Sequence, residues 1–173
     1  PNDDLIFSGY NPAANAILGI DHAELVGKTI EEAFPNLAGT PPPEQYRRIA
    51  RDGGRWKDEQ FFYTDNRIHG AYEVNTFQTN QNHAVVMFED ITARIQAAEA
   101  LRLSEIKFSK AFLTSPDAIN INRLSDGVYI EINPGFTQLT GYTYEESIGK
   151  SSLDMSIWAD PADRARLVQG LRE

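Results

Sequence analysis

The chain has 173 residues, 41% hydrophobic and 24% charged, a balance that fills a core while staying in solution. Lys and Arg number 16 against 25 Asp and Glu, and the net charge of −9 disfavours nucleic acid and anionic membranes as partners. There is no cysteine, which excludes disulfides, thiolate nucleophiles and cysteine metal sites and fits a reducing, cytoplasmic setting.

The first punctuated segment is 10–19, where Asn11 and Pro12 read as helix cap and first helical position and Gly19 as the left-handed stop. A second short helix is expected from Asp21-x-x-Glu24 to Gly27, and Thr29-x-x-Glu32 offers another cap. A longer helix is expected over 41–52, with Tyr46, Ile49 and Ala50 on one face and Gly53 ending it. Three strands follow at about 56–64, 71–77 and 84–90, and polar turns separate them. In the middle strand Tyr72, Val74 and Thr76 alternate with Glu73 and Asn75, so the first set is expected to face inward. Phe62, Val86 and Phe88 from the neighbouring strands are expected to join them around a concave pocket or a plain core.

From Thr92, read as an N-cap, a helix runs with apolar residues at Ala98, Leu101, Phe108 and Phe112. A second stripe holds Leu103, Ile106 and Leu113, so one face can pack on the module while the other meets a partner helix. Beyond Ser115, Ile119 and Ile121 alternate with polar residues, then Val128, Ile130 and Ile132 do the same after Asp126-Gly127, which predicts an antiparallel hairpin. A last helix is expected from Asp160-Pro161, carrying Leu167, Val168 and Leu171.

One offset relates the two ends of the chain. Asn133-Pro134 repeats Asn11-Pro12, a shift of 133 − 11 = 122 residues, and the same shift carries Gly19 onto Gly141, Glu24 onto Glu146 and Gly27-Lys28 onto Gly149-Lys150. The matched residues are caps and stops, so the chain reads as two copies of one α+β module joined by a helix.

The chemistry-bearing residues do not assemble into a catalytic set. Gly27-Lys28-Thr29 and Gly149-Lys150-Ser151 resemble the tail of a phosphate loop, but His22 and Tyr144 stand where its first glycine belongs. His22, His69 and His83 lack metal-ligand spacing and are expected on surface turns. Asp58 and Glu59 are adjacent strand residues pointing to opposite faces.

This order of hairpin, short helices opening on Asn-Pro, longer helix and three antiparallel strands resembles the Per-Arnt-Sim (PAS) domain family. The Asn-Pro…Gly…Gly-Lys run of both copies, the Asp90-Ile91-Thr92 strand exit and the 97–119 junction carry the likeness. The resemblance implies a PAS-like antiparallel sheet with short helices on one face over 1–92, a helical linker at 93–114 and an incomplete second module at 115–173. In the first copy the counterpart of 118–123 falls at or before residue 1, and in the second Glu173 maps onto Arg51, so the later sheet has no counterpart. The exposed hairpin is therefore expected to be mobile or complemented by another chain through its edge.

The function implied is a sensory or relay module, with Asp90, Ile91 and Thr92 as signal exit and Ala98, Leu101, Phe108 and Phe112 as the seam of a homodimer. Family habit puts a histidine kinase first and a diguanylate cyclase second as the output domain in cis. No metal, haem or covalent flavin is expected, since neither longer helix carries a histidine and no cysteine exists. An unspecified small ligand fits, and so does a ligand-free interaction module.

Overall fold

A computed structural model describes residues 4–170, and the chain divides into two compact units, Pro1–Glu99 and Ala100–Glu173. The expected three-part division placed the linker at 93–114. The boundary between the units falls inside that stretch, within the helix Thr92–Thr114.

In the first unit, α1 spans Pro12–Leu18, and Asn11 Oδ1 accepts the free Ala14 N–H at 3.0 Å. Gly19 ends it at φ 65°, a left-handed position that glycine adopts without strain. A 3₁₀ turn at His22–Leu25 follows, capped by Asp21 through Ala23 N, so the expected Asp21–Glu24 capping box does not form. The helix α2, Ile30–Ala33, does open on a capping box, in which Thr29 and Glu32 satisfy each other's backbone N–H. Then comes α3, Pro41–Asp52, which buries Tyr46, Ile49 and Ala50.

The sheet is β1 Arg55–Thr64, β2 His69–Asn80 and β3 His83–Asp90, antiparallel with β2 in the centre. Its inner face closes on the helices through Tyr63, Tyr72 and Val74, against Leu25, Ile30, Phe34 and Tyr46. From the sheet the chain enters α4, Thr92–Thr114.

The second unit holds a hairpin of β4 Asn120–Asn122 and β5 Tyr129–Ile132, then α5 Pro134–Thr140, α6 Tyr144–Ser147 and α7 Pro161–Gly170. Tyr129, Ile132, Phe136 and Met155 form its core. Asn133 caps α5 as Asn11 caps α1, with φ/ψ of −93°/168° against −109°/159°. The repeat extends beyond the caps. The isolated bridge Ile6–Thr29 reappears as Val128–Ser151, and the bonds from Phe7 N to Lys28 O and Gly27 N to Phe7 O reappear between Tyr129, Lys150 and Gly149. The Thr29–Glu32 box has its counterpart in Ser151 and Asp154, which also bond reciprocally.

Two faces differ from simple alternation. Phe62, expected in the pocket, is 63% exposed, because β1 carries a bulge between Asp58 and Phe61 that moves Phe61 and Tyr63 to the inner face. In β5 the pairing steps from Ile121–Glu131 to Asn122–Tyr129, leaving Ile130 as the extra residue. Tyr129 and Ile132 are buried and Ile130 is half exposed, contrary to the expected Val128, Ile130 and Ile132 face. In α7 Val168 is half-buried and Leu167 exposed, and Leu171 lies outside the described residues.

Candidate functional site: an apolar cavity and the strand exit beside it

Between the inner sheet face and the short helices of the first unit lies a cavity of about 660 Å³. That is the size range of small-molecule sites. Of the expected pocket residues, Tyr72, Val74, Val86 and Phe88 line it. Thr76 does not; it is buried further along β2, and its hydroxyl has no hydrogen-bond partner among the described residues. Phe61 and Tyr63 take the place foreseen for Phe62.

The wall is mainly hydrocarbon and aromatic. Tyr46, on α3, meets Trp56 edge-on and lines the cavity. Burial, together with the Asp58 charge, pushes its phenol well above the usual range. Tyr63 donates its hydroxyl to Asp65 at 3.0 Å, and burial plus that carboxylate raise its pKa to about 12. No Asp, Glu, Lys or Arg is among the lining residues.

His22 is the residue that sequence reasoning misplaced. Expected on a surface turn, it is 3% exposed and lines the cavity. Its ring is near-parallel to those of Tyr10 and Phe88, with centroids 5.9 and 6.4 Å away. The Asn15 carbonyl oxygen receives both the His22 backbone N–H, at 3.0 Å, and ring Nδ1, at 2.9 Å. Asn15 turns its amide nitrogen to Asp21 at 3.4 Å, which fixes that oxygen toward His22. Nδ1 therefore carries the proton, and in the neutral ring Nε2 is an acceptor. Burial lowers the imidazole pKa, against opposing effects of the Ile20 carbonyl and Asp21. No local signal marks this placement, since the equivalent residue of the second repeat, Tyr144, is 50% exposed.

The cavity wall reaches the strand exit through Tyr72. Its ring meets Phe88 edge-on at 6.4 Å. A Cβ placed on Gly70 would lie 2.8 Å from the Tyr72 hydroxyl and 2.9 Å from Thr92 Oγ1, so only glycine leaves room for both groups. Thr92 was expected to cap α4. Instead its hydroxyl accepts the Ala71 N–H at 2.9 Å, and Asp90 Oδ1 accepts the Thr92 N–H at 2.8 Å. Ile91, 3% exposed, donates its N–H to Ala71 O and accepts the first helical bond from Ile95. Both backbone groups of Ala71, next to Tyr72, are thus tied to Ile91 and Thr92, where α4 begins.

Along α4, residues 96–111 are exposed, including Ala98, Leu101 at 62% and Phe108 at 54%. Phe112 departs from its expected place in a dimer seam: it is 4% exposed within the single chain. Phe108 stacks on it at 5.6 Å. Among the described residues no group of His, Asp or Glu could hold a metal ion, and no helix is long and apolar enough to cross a membrane.

Comparison with known families agrees with this architecture. A family model described as PAS fold matches residues 2–96, and one described as PAS domain matches residues 106–172. The chain belongs to the PAS family, as two PAS domains in tandem, and PAS domains are sensory or signalling modules. No curated protein matches it.

Proposed function

We propose that the chain senses a small molecule in the first unit and relays the change along α4 to an output domain in cis. The observation that carries this reading is the double placement of Tyr72, with its ring on the cavity wall and its hydroxyl packed, like Thr92 Oγ1, over Gly70. A ligand that displaces the ring must also disturb the corner where Ala71 holds Ile91 and Thr92. The output reading rests on family habit alone: a histidine kinase first, a diguanylate cyclase second, in a cytoplasmic regulator. The chain itself is proposed to be non-catalytic and to work without metal, haem or covalent flavin.

Partner contact is proposed through α4, where Leu101 and Phe108 offer exposed apolar side chains, or through the hairpin edge. A Leu101→Glu substitution would then place two charges in an apolar seam and weaken a homodimer by several kcal/mol, roughly. Analytical ultracentrifugation checks this, with Arg102→Glu as the milder comparison. Exposed apolar residues on α4 equally favour a second reading, a ligand-free interaction module.

Thermal unfolding of the full chain against a small-molecule library separates the two. A ligand at a hundred times its Kd stabilises the native state by about 2.7 kcal/mol, so sensing predicts an upward shift of the first unit's transition. Trp158→Phe leaves Trp56 as the sole indole reporting on that unit. Partner binding with no small-molecule shift would favour the interaction module.

A further inference from the structure

We propose that the first-unit cavity takes a neutral, largely apolar aromatic molecule bearing one hydrogen-bond donor, which His22 Nε2 accepts, and that it rejects anions. This rests on the sensing reading above and narrows it to a ligand class.

Three features of the cavity converge on that class. Its lining contains no side chain of formal charge, so a buried carboxylate or phosphate would find no cation to replace its water. The net charge of −9 adds long-range repulsion against anions. Nor does a cationic ligand find a carboxylate there, because Asp58 and Asp65 are not among the lining residues.

Shape and ring placement select a flat molecule. Tyr10, His22 and Phe88 form a near-parallel series, while Tyr72 and Phe88 meet edge-on, so aromatic faces and edges both bound the space. Such geometry rewards another ring through offset and edge contacts.

The hydrogen-bond requirement comes from Asn15. By taking the Nδ1 proton, Asn15 holds His22 in the tautomer whose second nitrogen has a lone pair and no hydrogen. Tyr63 cannot supply the same contact as a donor because its hydroxyl is given to Asp65. At His22 a ligand O–H or N–H therefore matches, whereas a carbonyl placed there would present an acceptor to an acceptor.

The test uses three probes of one shape: naphthalene, 2-naphthol and 2-naphthoate, titrated calorimetrically into the full chain at neutral pH. Binding is expected to be tightest for 2-naphthol, weaker by up to roughly tenfold for naphthalene, which lacks the donor. 2-Naphthoate is expected to be weaker than 2-naphthol by roughly a hundredfold or more, since its charge is desolvated without a partner. In His22→Phe, which keeps a flat ring beside Tyr10 and Phe88, 2-naphthol should fall to the level of naphthalene. Should that variant misfold, ¹⁵N imidazole spectra of the unaltered chain decide, with Nε2 of His22 shifting on 2-naphthol and not on naphthalene. Equal or tighter binding of 2-naphthoate, or an unmoved Nε2, would overturn the ligand class while leaving a ligand-binding cavity. Failure of all three probes to bind would overturn the class and count against sensing at this cavity.

Discussion

Asn11 and Asn133 occupy the same place in the two repeats, yet the second does far more. Asn11 is exposed and accepts one bond, from Ala14 N. Asn133 is 1% exposed; its oxygen accepts from Phe136 N and Ile119 N, and its amide donates to the carbonyls of Phe112, Ser115 and Asp117. One side chain thus fastens the end of α4, the segment after it and the start of α5. An identical local signal, Asn-Pro, sets the helix start in both places, and at Asn133 the same side chain also serves the backbone of the preceding segment.

The comparison breaks most directly at that hub. Asn133→Ala should destabilise the second unit by about 3 kcal/mol or more, because several buried backbone groups lose partners together. Asn11→Ala should cost the first unit about 1 kcal/mol, the usual worth of an exposed cap. Denaturant unfolding followed by Trp158 for the second unit and Trp56 for the first, each in the single-tryptophan variant, measures both. Equal losses would mean the two asparagines are interchangeable after all.

A smaller effect is expected next door. A Cβ on Gly135 would sit 2.3 Å from the Asp117 carbonyl oxygen, backbone that cannot swing aside, whereas the first repeat carries Ala13 at this position. Gly135→Ala should cost about 2 kcal/mol by overpacking, despite the better helix propensity of alanine. The same unfolding curve reads it, and a stabilised variant would show that the close approach is not rigid.

Thr29→Ala and Ser151→Ala sharpen the likeness instead. Each removes the hydroxyl of a reciprocal pair at equivalent positions, Thr29 at the start of α2 and Ser151 at the start of a turn, and should cost its own unit about 1 kcal/mol. A clear difference between them would place the second pair outside the repeat.

The smallest change is expected from pH. The folded His22 binds a proton less well than a free imidazole of pKa 6.5, mainly because it is buried. As pH falls through that value the unfolded chain takes up the proton first, so His22 makes the first unit less stable on acidification. His22→Phe should flatten this part of the Trp56-monitored stability profile between about pH 7 and 5. An unchanged slope would mean His22 is not the group responsible.

Cap and stop residues made much of the fold legible in the sequence, because an N-cap asparagine and a left-handed glycine act within a few residues of themselves. Gly19 and Gly141 both lie at positive φ, and Asn11 and Asn133 both cap helices. Side-chain faces were legible only where strands keep their alternation, as along Tyr72, Val74 and Thr76. Phe62 and Ile130 were misassigned for one physical reason: an extra residue in a strand reverses every side chain beyond it, and alternation alone does not mark where it falls. His22 was missed because its environment comes from chain-distant groups, the Phe88 ring above all. Thr92 was read as a cap because helix signals are local, while its actual partner, Ala71, lies across the sheet.

The cavity and the start of α4 are proposed to move as one mechanical unit through Tyr72, and amide hydrogen exchange with and without saturating 2-naphthol tests this most directly. Altered protection is expected at Ala71, Ile91 and Ile95, whose N–H groups bond to Thr92 Oγ1, Ala71 O and Ile91 O. Ile119 and Phe136, held by Asn133 in the second unit, serve as the internal reference. Binding that changes exchange only along the cavity wall and leaves Ala71, Ile91 and Ile95 untouched would contradict it.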